Sequence, residues 1–228
     1  MAQEHIWDRE YRNSKLLTKE NKPQSDVVKF AKWLKKKQKF EFENSDILDL
    51  GSGTGRNAFY FAEMGAWVVG LEISATAIGI AQENAKNAGL TIEYYKKSIG
   101  ETFNLGDEEF DVALDVTSSN SLTEKERDVY LSETHRVLSK NGYFFVKALC
   151  KDGDENAKYL VKNNPGPEKD TYIMPGLGVT ERVWTKEDFT STYGKYFKIL
   201  SLEKKTSYSR MNNRSYKRNF WIAYLSNI

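Results

Sequence analysis

Ile47-Leu48-Asp49-Leu50-Gly51-Ser52-Gly53-Thr54-Gly55-Arg56-Asn57 decides the fold of this chain. It reads as a buried strand, a glycine turn and the start of a helix. Glycine carries no side chain and tolerates φ > 0, so such a turn lets a ligand approach bare backbone. The helix that follows offers unpaired N–H groups at its start. A second strand, Ala66-Trp67-Val68-Val69-Gly70-Leu71-Glu72, ends in a carboxylate. A strand, a glycine turn, a helix and an acidic strand end make up a nucleoside-binding half-site, in which the acid grips ribose hydroxyls.

Outward from this segment the chain alternates strand and helix. Strands are expected at 46–50, 66–72, 91–95, 110–116 and 143–149, and helices at 56–64, 75–88, 124–139 and 186–194. Apolar runs such as Val112-Ala113-Leu114 and Tyr143-Phe144-Phe145-Val146 are continuous, so both sheet faces are covered. Thr123 and Glu126 form a capping-box pattern, Asn141-Gly142 is expected to end that helix, and Thr185 with Asp188 opens the last one. Two aromatic-rich strands near 196–204 and 218–225 are expected to form an edge hairpin. Before the core, Ser25 is expected to cap a helix over 26–39 whose Val27, Phe30, Ala31 and Leu34 make one apolar stripe. We read one domain over 1–228: a helical cap (1–44), a cofactor-binding core (45–150), a lid-like insertion (151–183), and a C-terminal helix and edge hairpin (184–228).

With 228 residues, 34 basic and 32 acidic side chains and a net charge of +2, global charge favours no particular partner. Cys150 is the only cysteine, so no intrachain disulfide can form, and a cytoplasmic location is the expectation. No apolar run approaches membrane-spanning length. No His/Cys cluster has metal-ligand spacing, so no metal is expected.

The Asp49-x-Gly51-x-Gly53-x-Gly55 spacing puts Arg56 where dinucleotide sites carry a third spaced glycine. The segment resembles motif I of the class I S-adenosylmethionine-dependent methyltransferases, and the likeness runs from about residue 46 to the C-terminus. It implies a Rossmann-like α/β fold: a seven-stranded, mostly parallel sheet with helices on both faces and an antiparallel last strand. The implied cofactor is S-adenosylmethionine, leaving as S-adenosylhomocysteine, with no metal. Residue by residue, the likeness assigns cofactor contact to Asp49, Gly51, Ser52, Gly53, Gly55, Glu72 and Ile73. Glu72 matches the acid that accepts both ribose hydroxyls, and Asp49 the one that receives the methionine amino group. Ile99 stands where many members place an aspartate, and the Ser98-Ile99 pair resembles the adenine-contacting pair of thiopurine-type members. Trp7 and Tyr11 match the aromatic opening of small-molecule members, which folds over the cofactor; anchoring the cap helix is the alternative role.

Asp115 ends the fourth strand, at the position facing the transferred methyl. It is a candidate to orient the acceptor or take its proton, with a cofactor or structural role as alternatives. Thr117, Tyr172 and Arg210, together with Glu101, are candidates for acceptor contact. The Asn/Asp-Pro-Pro-Tyr/Phe motif of amino-methylating nucleic-acid enzymes is absent. The resemblance therefore implies a small-molecule methyltransferase of the ubiquinone, tellurite-resistance and thiopurine-like type, as monomer or homodimer. An RNA or protein methyltransferase remains open through the lysines of helix 26–39 and the basic hairpin 204–218, which holds six cations and no acid. A non-catalytic nucleoside-binding protein is a further alternative. His135 and Cys150 read as structural.

Overall fold

The computed structural model describes residues 3–13, 22–211 and 214–228, with the side chains of 209–214 outside the description. Its centre is a seven-stranded sheet of order β3-β2-β1-β4-β5-β9-β8. β1 (Asp46–Leu50), β2 (Trp67–Glu72), β3 (Glu93–Lys96), β4 (Phe110–Val116) and β5 (Leu138–Leu149) run parallel to one another. β9 (Arg214–Asn227) runs antiparallel to both β5 and β8 (Phe197–Met211). This is the expected Rossmann-like architecture with its antiparallel last strand.

Period-2 alternation explains the continuous apolar runs. Ile47, Val112, Leu114 and Phe145 face one core layer, while Leu48, Leu50, Ala113, Phe144 and Val146 face the other. The first layer is closed by α2 (Ser25–Trp33), whose Val27, Phe30 and Ala31 are buried, and by α3 (Arg56–Ala62). α5 (Glu124–Val137) and α7 (Lys186–Tyr193) close the second. α1 (Glu4–Arg12) lies against α4 (Ala75–Ala88).

The capping box at Thr123 and Glu126 and the Thr185 cap both form as read from the sequence. Four local expectations fail. Ser25 makes no side-chain cap; it is the first residue of α2, and the neighbouring Asp26 is drawn into ion pairs with Lys147 and Lys205. The helical run beyond Trp33 continues as a π turn over Leu34–Gln38. Asn141-Gly142 does not end α5. Leu138 already turns extended and is fully buried, and the Asn227 side chain caps the helix end by donating to the His135 and Leu138 carbonyls. Asn141, at φ +64, instead sits inside β5 where the register against β4 shifts. Finally, 204–218 is strand for most of its length rather than a connector, so β8 and β9 project as a long two-stranded ribbon.

The insertion 151–183 has structure of its own: α6 (Glu155–Asn163) and a hairpin of β6 (Thr171–Ile173) and β7 (Thr180–Arg182). Tyr172, Met174, Leu177, Val179 and Val183 are buried in the first core layer. Tyr172 Oη donates to Glu181 Oε2 at 2.6 Å and accepts from Arg218 Nη2 at 3.1 Å. Asp154 caps α6 and lies 3.5 Å from Arg218 Nε, so one buried polar chain joins the insertion to β9.

Candidate functional site

Where β1 ends, the Gly51 and Ser52 amides both donate to the Leu71 carbonyl, which fixes the turn against β2. The Gly53 amide donates to Glu72 Oε2 at 2.9 Å, and the Ser74 amide donates to Oε1 at 2.8 Å. Glu72 is therefore oriented by the Gly53 amide on one oxygen and the Ser74 amide on the other. Burial raises its carboxyl above the ordinary value, while the Ser74, Gly53 and Ile73 amides pull it back. Gly53 itself has φ +56, and a Cβ there would lie 2.6 Å from Tyr11 Oη, so only glycine admits this approach.

Asp49 lies beneath the turn, 1% exposed, with Oδ2 unpartnered. Burial, then the charges of Glu72 and Asp115, push its carboxyl up to about 7; Arg56 and the Ala58 amide oppose them. Such an oxygen is costly unless a donor or a cation reaches it.

A cavity of about 670 Å³ opens above the turn. Residues 51–54 with Glu72 and Ile73 line it, as do Ser98 and Ile99 after β3 and the stretch 116–118 after β4. α1 contributes Trp7, Tyr11 and Arg12. Polar bonds hold α1 in place. Asp8 accepts from Ser74 Oγ at 2.8 Å and the Thr76 amide at 3.0 Å, at the start of α4. Gln3 bonds both the Thr180 backbone and the Ser121 carbonyl, and Arg9 donates to the Leu177 carbonyl.

Of the residues singled out from sequence, Trp7, Tyr11, Gly51, Ser52, Gly53, Glu72, Ile73, Ser98, Ile99 and Thr117 line this one cavity. Asp49 sits beneath it. Gly55, at φ +84, begins α3. Three acceptor-side expectations are corrected. Asp115 is fully buried: its Oδ1 accepts from the Ser118 amide and its Oδ2 from Tyr130 Oη at 2.7 Å, so it braces the turn after β4 from behind. Tyr172 is spent in the insertion's buried polar chain. Glu101 pairs with Lys97 at 3.0 Å and stands outside the lining. The Arg210 side chain lies outside the described residues. Sequence reasoning missed Gln3, Asn13, Gln24, Asn57, Ser118 and Glu126, which also line the cavity. Of these, Asn57 lies in the opening stretch, Ser118 follows Thr117 and Glu126 belongs to the capping box.

His135 Nδ1 lies 2.6 Å from Asn227 Oδ1 and away from the cavity. Cys150 is buried, its thiol pushed up to about 12 by burial. Among the described residues no group of three or more His, Cys, Asp or Glu is placed to hold a metal ion. Nor is any described helix long and apolar enough to cross a membrane.

The buried Asp49 carboxyl leads to a paired expectation. Its folded value lies above the unfolded one, so its contribution to stability is present at low pH and lost as pH rises through about 7. Asp49→Asn should therefore raise the melting temperature of the ligand-free protein at pH 8, by about 2–4 °C per kcal/mol relieved, with the gain shrinking in acid. The same variant should weaken binding of a cationic ligand about tenfold or more and flatten its pH dependence. Differential scanning calorimetry and ligand titration at pH 6, 7 and 8 check both signs.

The methyltransferase-domain family model matches residues 47–142. A ubiquinone biosynthesis O-methyltransferase of Bartonella quintana (strain Toulouse) is 34% identical over 108 residues, covering 47% of this chain and 42% of that protein. The chain thus spans less than half the length of that curated relative. Among solved structures, a SAM-dependent methyltransferase from Methanosarcina mazei superposes with a TM-score of 0.73 at 20% identity, covering 82% of this chain and 93% of the other. The 1,6-didemethyltoxoflavin-N1-methyltransferase of Burkholderia thailandensis, solved with its substrate and S-adenosylhomocysteine, gives 0.63 at 15% identity, covering 99% and 84%. At these identities the two structures speak for the fold.

Proposed function

We propose, from the premise that residues 47–142 belong to the methyltransferase-domain family, that this chain transfers a methyl group from S-adenosylmethionine to a small-molecule acceptor. The observation that carries the reading is Glu72. Its carboxyl is fixed by the Gly53 and Ser74 amides and lines the cavity, where it is placed to accept from ribose hydroxyls.

The other residues fit the same cofactor. Asp49 Oδ2 is a buried acceptor without a partner, suited to the methionine ammonium. The glycine turn admits a ligand against bare backbone. Ile73 and Ile99 supply apolar surface for adenine, with Ser98 beside them, and Trp7 and Tyr11 cover the site from α1. When bound, the cofactor supplies an electrophilic methyl on a sulfonium, whose departure leaves a neutral thioether. The protein's tasks are then to align the acceptor and exclude water, and a strong general base is dispensable. This agrees with Asp115 being committed to the fold. Thr117, Gln24 and Asn57 provide polar groups for the acceptor.

The basic ribbon supports an RNA reading less well than its sequence does. Lys205 is paired with Asp26, and Arg218 is buried against Asp154 and Tyr172. The Burkholderia neighbour, a 1,6-didemethyltoxoflavin-N1-methyltransferase, supports a small-molecule acceptor by analogy.

Calorimetric titration with S-adenosylmethionine and S-adenosylhomocysteine tests the reading. We expect micromolar binding of both, followed by transfer of labelled methyl to small-molecule acceptors in a screen. Folded protein that binds neither ligand at millimolar concentration would sink the assignment.

A further inference from the structure

Asp49 Oδ2 is not the only unpartnered polar atom under the turn. Ser52 Oγ and Tyr94 Oη share that condition, and both are buried. Two glycines make room for them. A Cβ on Gly70, in the middle of β2, would lie 2.7 Å from both Ser52 Oγ and the Tyr94 ring. A Cβ on Gly55 would collide with Tyr94 Oη itself. Glycine inside a strand marks a close approach of this sort. The Tyr94 ring thus reaches from β3 across β2, and its hydroxyl ends at the start of α3, close enough to Asp49 to feel its charge.

We propose that Tyr94 is a positioning residue for the cofactor: its hydroxyl donates a hydrogen bond to the Asp49 carboxylate when a ligand's cation is bound. The proposal rests on the cofactor reading given above. Buried hydroxyls are costly without a partner. Ser52 and Tyr94 are donors, and Asp49 Oδ2 is an acceptor, so the three atoms are chemically complementary. The groups facing Asp49 are Glu72 from β2, Asp115 from β4, Arg56 from α3, Tyr94 from β3 and Tyr11 from α1. Arg56 is the only cation in that set, and burial together with the two acids outweighs it. Ionised Asp49 therefore needs further support, and Tyr94 Oη, buried without a partner beside Gly55, is a donor that can supply it. The phenol stays protonated, since burial and the Asp49 charge push its own titration well above the ordinary value. It can serve as a donor at every working pH.

Tyr94→Phe removes one oxygen and keeps the ring that fills the space over Gly70. The melting temperature of the ligand-free variant should equal or exceed that of the wild type. Its dissociation constant for S-adenosylhomocysteine, read by calorimetry at pH 7.5, should rise about tenfold. The midpoint of the pH dependence of binding should also move upward, because the charged form of Asp49 has lost a donor. A dissociation constant within twofold of wild type overturns the proposal. So does weaker binding accompanied by a lower melting temperature, which would assign the hydroxyl to the free fold. If wild-type protein fails to bind S-adenosylhomocysteine, the cofactor reading itself falls and the proposal with it. That outcome differs from one in which the wild type binds and the variant binds equally well.

Discussion

Glu72→Ala is expected to remove detectable S-adenosylhomocysteine binding and to lower the melting temperature at the same time. The two losses have separate sources. On the protein side, the Gly53 and Ser74 amides lose their acceptor, and each buried unpaired donor costs about 1–3 kcal/mol. On the ligand side, hydrogen bonds to a charged acceptor are worth about 1.5–3 kcal/mol each. Two of them lost together correspond to roughly a hundredfold to ten-thousandfold in affinity. Glu72→Gln separates the sources: it keeps one oxygen but turns an NH₂ group toward one of the two amides. It should bind more weakly than wild type and better than the alanine variant. Circular dichroism establishes that each variant is folded before titration. Binding by a folded Glu72→Ala within tenfold of wild type would place the nucleoside elsewhere.

Asp26→Ala should have the largest effect on stability alone. Asp26 Oδ2 lies 3.0 Å from Lys147 Nζ, and Oδ1 accepts from Lys205. The Lys147 side chain is 13% exposed and its ammonium sits 4.8 Å from the Phe220 ring centre. Removing the aspartate leaves that ammonium with Gln24 Oε1 and the ring. Breaking a buried pair typically costs about 3–5 kcal/mol. Lys205 keeps some water, so the lower end applies, roughly a 6–12 °C fall in melting temperature for a chain of this size. Burial raises the Asp26 carboxyl, but Lys205 and Lys147 together hold it below the ordinary 3.8. Its contribution is therefore present above that value and lost as pH falls through the lower folded value. The gap between wild type and variant should close in acid, which thermal melts from pH 3 to pH 8 would follow. Adding Lys147→Met should restore part of the stability, since an apolar replacement needs no counter-charge.

The fold was legible because its signals are local. The apolar run of β1, the turn glycines, the acid ending β2 and the caps at Thr123 and Thr185 each depend on residues a few positions apart. What could not be read depends on distant partners. The end of α5 is capped by Asn227, and the short strands β6 and β7 hold together through Tyr172, Glu181 and Arg218. In the site, the side proposed for the cofactor follows from the glycine motif. The side proposed for the acceptor does not, because Gln3 and Gln24 reach the cavity only through packing of the N-terminal helices. Asp115 and Tyr172 have the right chemistry for a site, but burial spends it on the fold.

The contrast between α1 and the insertion has a consequence for how the molecule breathes. α1 buries one apolar side chain, Ile6, packs a second, Trp7, partly against the core, and is further fastened by hydrogen bonds and ion pairs to its neighbours. The insertion is sunk in the core through seven apolar residues and the buried Arg218 guanidinium that bonds Tyr172. Segments with few buried apolar contacts detach in local openings far below the global unfolding free energy, and those that share the core do so only with it. The molecule therefore divides into two cooperative units of unequal depth. The shallow one is the helix that carries Trp7 and Tyr11, so the cavity can be uncovered and covered again while every strand of the sheet stays in register.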